Sequence, residues 1–174
     1  MPSLPPISTL SHSPDTTITQ TLDLLFEPSP ALHALTLPVL RSTAFPSYDV
    51  LITAIGAQLT ALISTDTQKL DEILGSHPRL GAKKVDSEQS RKEQAQLQGG
   101  EEEGKALEGL NAEYEEKFPG LRYVVFVNAR SRPVIMQNMR ERIDRGDIEA
   151  ERTEAIQAMC AIATDRAGKL QSQT

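Results

Sequence analysis

Only one stretch of this chain, Tyr123-Val124-Val125-Phe126-Val127, has the β-branched and aromatic character of a strand. A single short strand has no partner to pair with, so the run reads as buried extended chain rather than as part of a sheet. Elsewhere the apolar residues recur at three- and four-residue steps, the period of one helix face. The fold class that follows is all-α, a single compact domain of roughly six to eight helices. A length of 174 residues suits one domain with a real core.

Ile18, Leu22, Leu25 and Phe26 predict a first helix from Thr16, closed by Pro28 and Pro30. Leu32, Leu35, Leu37 and Leu40 surround Pro38 and suggest one or two short helical turns, because proline lacks the N–H that a helix interior needs. Ser47 can cap a helix with the stripe Val50, Leu51, Ile55, Leu59 and Ile63. Asp66 or Thr67 can cap the next, with Leu70, Ile73 and Leu74 inward and Gly75 as a left-handed stop. After a loop from Ala82 to Asp86, residues 87–98 are polar with good helix propensity, and Gly99-Gly100 break the chain. Glu101-Glu102-Glu103 then suit the positive end of a helix carrying Leu107, Leu110, Asn111, Tyr114 and Phe118 on one side. Pro133 opens a helix through Ile135, Met139, Arg142 and Ile143, stopped near Gly146. The last helix runs from about Ile148 to Leu170, with Ala155, Ile156, Met159, Ile162 and Ala163 inward and Arg166 on the same stripe. Residues 1–15 hold four prolines with several Ser and Thr and read as an extended or loose arm, leaving 16–174 as the domain.

Composition narrows the function. A net charge of −6 without a Lys/Arg run argues against nucleic acid as a partner. Cys160 stands alone, and the three histidines, His12, His33 and His77, are far apart in sequence, so neither a disulfide nor a zinc-ligand spacing is present and no metal is expected. The chain shows neither a signal peptide nor an apolar run read as bilayer-spanning, which predicts no membrane and a cytoplasmic protein. Its Gln-Ser-Gln-Thr end lacks the Ser-Lys-Leu type of peroxisomal address.

Chemistry concentrates around Ser76-His77-Pro78-Arg79-Leu80-Gly81. Pro78 disfavours helical geometry at His77, so the imidazole sits on a short rigid turn just past a helix end. With an ordinary pKa near 6.5, such a group can take or give a proton near neutrality; equally, it can be a histidine hydrogen-bonded at a helix terminus. Ser90, Glu93, Gln94 and Leu97 fall at i, i+3, i+4 and i+7, which puts a hydroxyl, a carboxylate and an amide on one face beside an apolar anchor. That face can hydrogen-bond a small polar ligand or merely be solvated. Arg166, on an inward stripe, needs an anion, either an internal carboxylate or one from a substrate held bidentately. Asn111 reads as a structural hydrogen-bonder. No nucleophile elbow, P-loop, zinc-protease or dinucleotide motif occurs, so an enzyme here would work on a small polar molecule without a cofactor.

Five motifs occur in order: His77-Pro78-Arg79-Leu80-Gly81, Ser90-x-x-Glu93-Gln94, Leu110-Asn111-x-x-Tyr114-x-x-x-Phe118, Phe126-Val127-Asn128-Ala129-Arg130-Ser131 and Ile162-Ala163-x-x-Arg166. Together, over about residues 16–172, they resemble the OHCU decarboxylases, which act on 2-oxo-4-hydroxy-4-carboxy-5-ureidoimidazoline in the urate-to-allantoin pathway. The resemblance implies an all-helical homodimer and cofactor-free, stereospecific loss of CO2 giving S-allantoin. It makes His77 and Glu93 the catalytic pair and Pro78, Ser90, Gln94 and Arg166 the substrate-binding residues. Three departures stand out: Ala129 where glycine is common, Gln96-Leu97-Gln98 in place of small residues, and Pro119-Gly120 in place of Phe-Gly. Two other functions fit the same residues: an enzyme for a related cyclic ureide, and a helical module that binds a ureide or dimerises without turnover.

Overall fold

The computed structural model describes residues 2–82, 87–95 and 99–171. The loop expected at 82–86 and the departure at 96–98, with Leu97, therefore lie almost wholly outside the described residues. Among those residues there are nine helices and no strand: α1 (Ile7–Leu10), α2 (Asp15–Phe26), α3 (Pro30–Ser42), α4 (Tyr48–Thr65), α5 (Thr67–Leu74), α6 (Glu88–Ala95), α7 (Glu101–Lys117), α8 (Arg132–Arg145) and α9 (Ile148–Gln171). Residues 121–127 are neither helix nor strand, and Leu121, Tyr123, Val124 and Val127 are buried, as the unpartnered β-like run predicts.

α9 is the axis of the domain, packing along α4 and α2 and against α5, while α7 pairs with α8. Leucine and isoleucine fill most of the interior, with Phe26, Tyr48, Tyr114 and Phe118 as its largest buried side chains. α4 has the length and apolar composition of a bilayer-spanning helix, which the sequence reading did not credit to it. It nonetheless buries Leu51, Ile52, Ile55, Leu59 and Leu62 in the core. Its cap is Ser47, whose Oγ accepts from Val50 N–H at 3.3 Å. Val50 was expected in the buried stripe but is 45% exposed, because the face set against α9 is rotated toward Ile52 and Tyr48.

Three further expectations change. Pro38 does not break α3, which runs through it as one helix. Pro38 and Ala34, whose carbonyl loses its partner, are both exposed, so water can replace the missing bond, while Leu32, Thr36 and Leu40 hold the buried side. Gly75 is right-handed at φ −72°, not left-handed, and its N–H bonds to Asp71 O at 2.9 Å. Finally, residues 4–14 are not a loose arm: Leu4 and Leu10 are buried in the core, α1 forms, and Tyr48 Oη donates to Pro5 O at 2.7 Å. The two leucines supply the apolar burial that the proline-rich composition concealed.

Candidate active site

His77 sits on the turn after α5, 5% exposed, and its Nε2 is buried without a hydrogen-bond partner. The turn is held from several sides. Gln94 on α6 accepts from Gly81 N–H at 2.9 Å through Oε1 and donates to Arg79 O at 3.2 Å through Nε2. Asn111 Nδ2 donates to Leu80 O at 3.0 Å, and Arg122 Nη1 reaches His77 O at 3.4 Å. Gly81 has φ +75°, where any side chain is strained, and a Cβ there would lie 2.7 Å from Leu107 Cδ2 and push that side chain aside. Burial, and next the Arg166 charge, push His77 down to about 4, against an opposing pull from Glu27. The imidazole is therefore a neutral base at pH 7, not the group poised near 6.5 that the sequence suggests.

Arg166 of α9 is buried and ringed by acceptors. Its Nε and Nη2 donate to Glu93 at 2.7 and 2.9 Å, and Nη2 also reaches Glu27 Oε1 at 2.8 Å and Ser90 Oγ at 3.1 Å. Ser90 Oγ in turn donates to Glu27. Burial works against the Arg166 charge, but bonding to Glu93 and the charges of Glu93 and Glu27 outweigh it and hold its pKa above the ordinary value. Glu27 is the residue that sequence reasoning missed. It follows Phe26 at the end of α2, is fully buried, and takes φ 74°, ψ 154°, a backbone region nearly reserved for glycine. The one available signal was the demand of an inward arginine for an anion, but the pair spans 139 residues and no local pattern announces it.

His77, Pro78, Ser90, Glu93 and Gln94 line one cavity of about 40 Å³, closed by Tyr123, Val124, Val125, Val127, Leu80 and Ile162. That is room for roughly one or two waters. An adjoining cavity of about 210 Å³ shares Glu93, Val125, Val127 and Ile162 with it and continues along Asn128, Ala129, Asp165 and Lys169. Asn128 and Ala129 both have left-handed backbone, φ 45° and 59°, in a turn closed by Arg130 N–H to Val127 O at 2.9 Å. The two most open depressions, of about 1000 and 690 Å³, contain neither His77 nor Arg166. Among the described residues, no group of three or more His, Cys, Asp or Glu side chains is placed to hold a metal ion.

An unpartnered histidine nitrogen and a carboxylate lining a small cavity, with a buried arginine behind the carboxylate, suit proton transfer on an anionic polar substrate. The family model for OHCU decarboxylases matches residues 11–168. The chain belongs to the OHCU decarboxylase family. A comparison with curated proteins found no match. As a member of that family it is a cofactor-independent carboxy-lyase that decarboxylates 2-oxo-4-hydroxy-4-carboxy-5-ureidoimidazoline in urate catabolism.

All six residues singled out from the decarboxylase motifs thus fall in or against one site, but they differ in what they have left to offer. His77 Nε2 has no partner, and the Glu93 side chain is 25% exposed. The Ser90 hydroxyl is engaged as donor and acceptor with protein groups, whereas Gln94, bonded through one N–H and its oxygen, keeps a second N–H beside the cavity it lines. Arg166 meets internal carboxylates, the first of its two expected alternatives. Asn111 is the structural hydrogen-bonder its position suggested. No hydrogen bond joins His77 to Glu93 among the described residues, so the orientation of the imidazole is set by its turn.

Proposed function

We propose that decarboxylation takes place at the His77 cavity and its 210 Å³ extension, giving S-allantoin. The observation that carries this is the buried, unpartnered Nε2 of a histidine held neutral beside Glu93 and Arg166. Breaking the bond from the ring carbon to the carboxylate releases CO2; its electron pair forms a C=C bond to the neighbouring ring carbon, and the C=N pair moves onto the nitrogen, which takes a proton from solvent. The hydroxyl on that carbon becomes the carbonyl of the product, and its proton must be taken up. The neighbouring ring carbon gains a proton and becomes the stereocentre. His77, a base at neutral pH, takes the hydroxyl proton and returns one to a single face of that carbon, a role worth roughly 10² to 10⁴ in rate. Burial disfavours the imidazolium, so once formed it gives its proton up readily, which suits the return step.

Arg166 attracts the substrate carboxylate, and Glu93 accepts from ureide N–H groups. Pro78 fixes the His77 turn and walls the cavity. Ser90 acts as a positioning residue on the arginine, its hydroxyl being committed, while Gln94 holds the turn and offers its second N–H to the substrate. To test this, the ureidoimidazoline is generated from urate in situ and its decay and CO2 release followed. Folded His77→Ala should lose roughly 10² to 10⁴ in turnover. Full turnover by that variant would place the chemistry elsewhere.

The homodimer implied by the family also belongs to this proposal. The outer side of α4 supports it, with exposed Val50, Ala57 and Ala61 among small polar residues. Light scattering on the purified protein should give twice the 19.1 kDa chain mass; a monomer at every concentration would remove it.

A further inference from the structure

Arg166 holds two carboxylates of unlike character. The Glu27 side chain is 3% exposed, rises from a strained backbone and is bridged by Ser90; the Glu93 side chain is 25% exposed and stands between the two cavities. Val125, Val127 and Ile162, the other residues lining both cavities, are apolar and branched; Val127 and Ile162 are buried in the core and Val125 packs against it, whereas Glu93 is a long polar side chain with access to solvent. As it stands, the His77 space is too small for any cyclic ureide. One cation with two carboxylates also leaves the cluster net negative, so a third anion is unwelcome while both remain.

Resting on the placement of the reaction above, we propose that Glu27 is the resident counter-ion of Arg166 and Glu93 the exchangeable one. Substrate binding swings Glu93 off the guanidinium, which joins the two cavities and offers the vacated Nε and Nη2 donors to the substrate carboxylate. Glu93 turns to the ureide N–H donors, so its charge stays hydrogen-bonded. Loss of CO2 removes the anion that held Arg166 open. Glu93 then returns to its 2.7 and 2.9 Å contacts, closes the cavity and displaces the neutral product. Decarboxylation and product release are in this way one event. Glu27 is a positioning residue throughout, keeping the guanidinium in plane while its other partner changes.

The test uses allantoate, a stable ureide carboxylate, and neutral allantoin as calorimetric probes of the full chain. Glu93→Gln should bind allantoate tighter by roughly tenfold, an ordinary size for coupling between two ligands of one group. Allantoin should gain nothing from that change. Glu27→Gln should leave allantoate binding unchanged or weaker, because Arg166 then grips its last carboxylate harder. Equal tightening in both variants would mean that only net charge matters and would overturn the exchange; tightening in Glu27→Gln alone would reverse the assignment and overturn it as well. A crystal structure of wild type with allantoate covers the case in which Glu27→Gln fails to fold. Glu93 away from Arg166 with Glu27 retained supports the proposal, and any other arrangement, or no bound ligand, overturns it. His77→Ala, assayed alongside for CO2 release, separates the two ideas: its full activity would sink the catalytic placement, not the exchange.

Discussion

Arg142 and Arg166 are about equally buried, and each is held by carboxylates, yet the two clusters differ in what they leave over. Arg142 Nε donates to both oxygens of Glu151, at 3.1 and 2.9 Å, and Nη1 donates to Val124 O at 3.1 Å. Its Nη2 lies 2.8 Å from Glu151 as an ion contact, outside hydrogen-bond geometry. Glu151 is 0% exposed and also accepts from Tyr114 Oη at 2.5 Å and Arg145 Nη2 at 2.7 Å, and the Arg142 guanidinium lies 4.8 Å from the Tyr123 ring centroid. No cavity described above touches Arg142 or Glu151. The Arg166 cluster instead borders a cavity with an unpartnered imidazole and includes one carboxylate with access to solvent. A buried ion pair is thus no mark of a site. What marks one is a polar group left unmatched beside space.

The largest expected effect belongs to the closed cluster. Arg142→Met strands Glu151 without its main partner and should cost about 3–5 kcal/mol in urea unfolding. A loss below about 1 kcal/mol would show that the cluster is not the staple described here.

The open cluster should show itself in pH dependence. His77 is lowered from 6.5 to about 4, so between those values the unfolded chain binds the proton and the native state does not. Stability should therefore fall as pH drops from about 6.5 to about 4 and level off below. The full difference is about 3 kcal/mol. It is read as wild type minus His77→Gln, and parallel pH profiles for the two would contradict a buried neutral imidazole.

Glu93→Gln sharpens the contrast. Partly exposed, it should change stability by no more than about 1 kcal/mol, while turnover falls by roughly 10². The smallest effect lies at Ala129, whose φ of 59° burdens a Cβ. Ala129→Gly should gain roughly 0.5–1 kcal/mol in the same unfolding measurement.

Much of this was legible in the sequence because it is local. Periodicity located α4, α7, α8 and α9, and the lone β-like run was rightly given no partner. The left-handed turn at Asn128 and Ala129 is a conformation that glycine would take without strain. What failed was long-range or depended on solvent. Pro38 lies within a helix because its side faces water, which only packing decides. Leu4 and Leu10 find the core despite their proline-rich setting. Glu151 looks like one more acid in a polar helix start, yet it is the least exposed carboxylate among the described residues. Glu27 closes the site from the far end of the chain, and His77 loses its ordinary pKa through the walls around it and the charge of Arg166, neither of them local in sequence.

The central claim is that one buried arginine cluster serves catalysis and the other serves stability. Its most direct test is the enantiomeric excess of allantoin formed from the in situ ureidoimidazoline by wild type, His77→Ala and Glu151→Gln, each at equal folded concentration. Wild type and Glu151→Gln should give S-allantoin in excess, although Glu151→Gln melts lower, and folded His77→Ala should give racemic product at the background rate. S-allantoin in wild-type excess from His77→Ala would contradict the account.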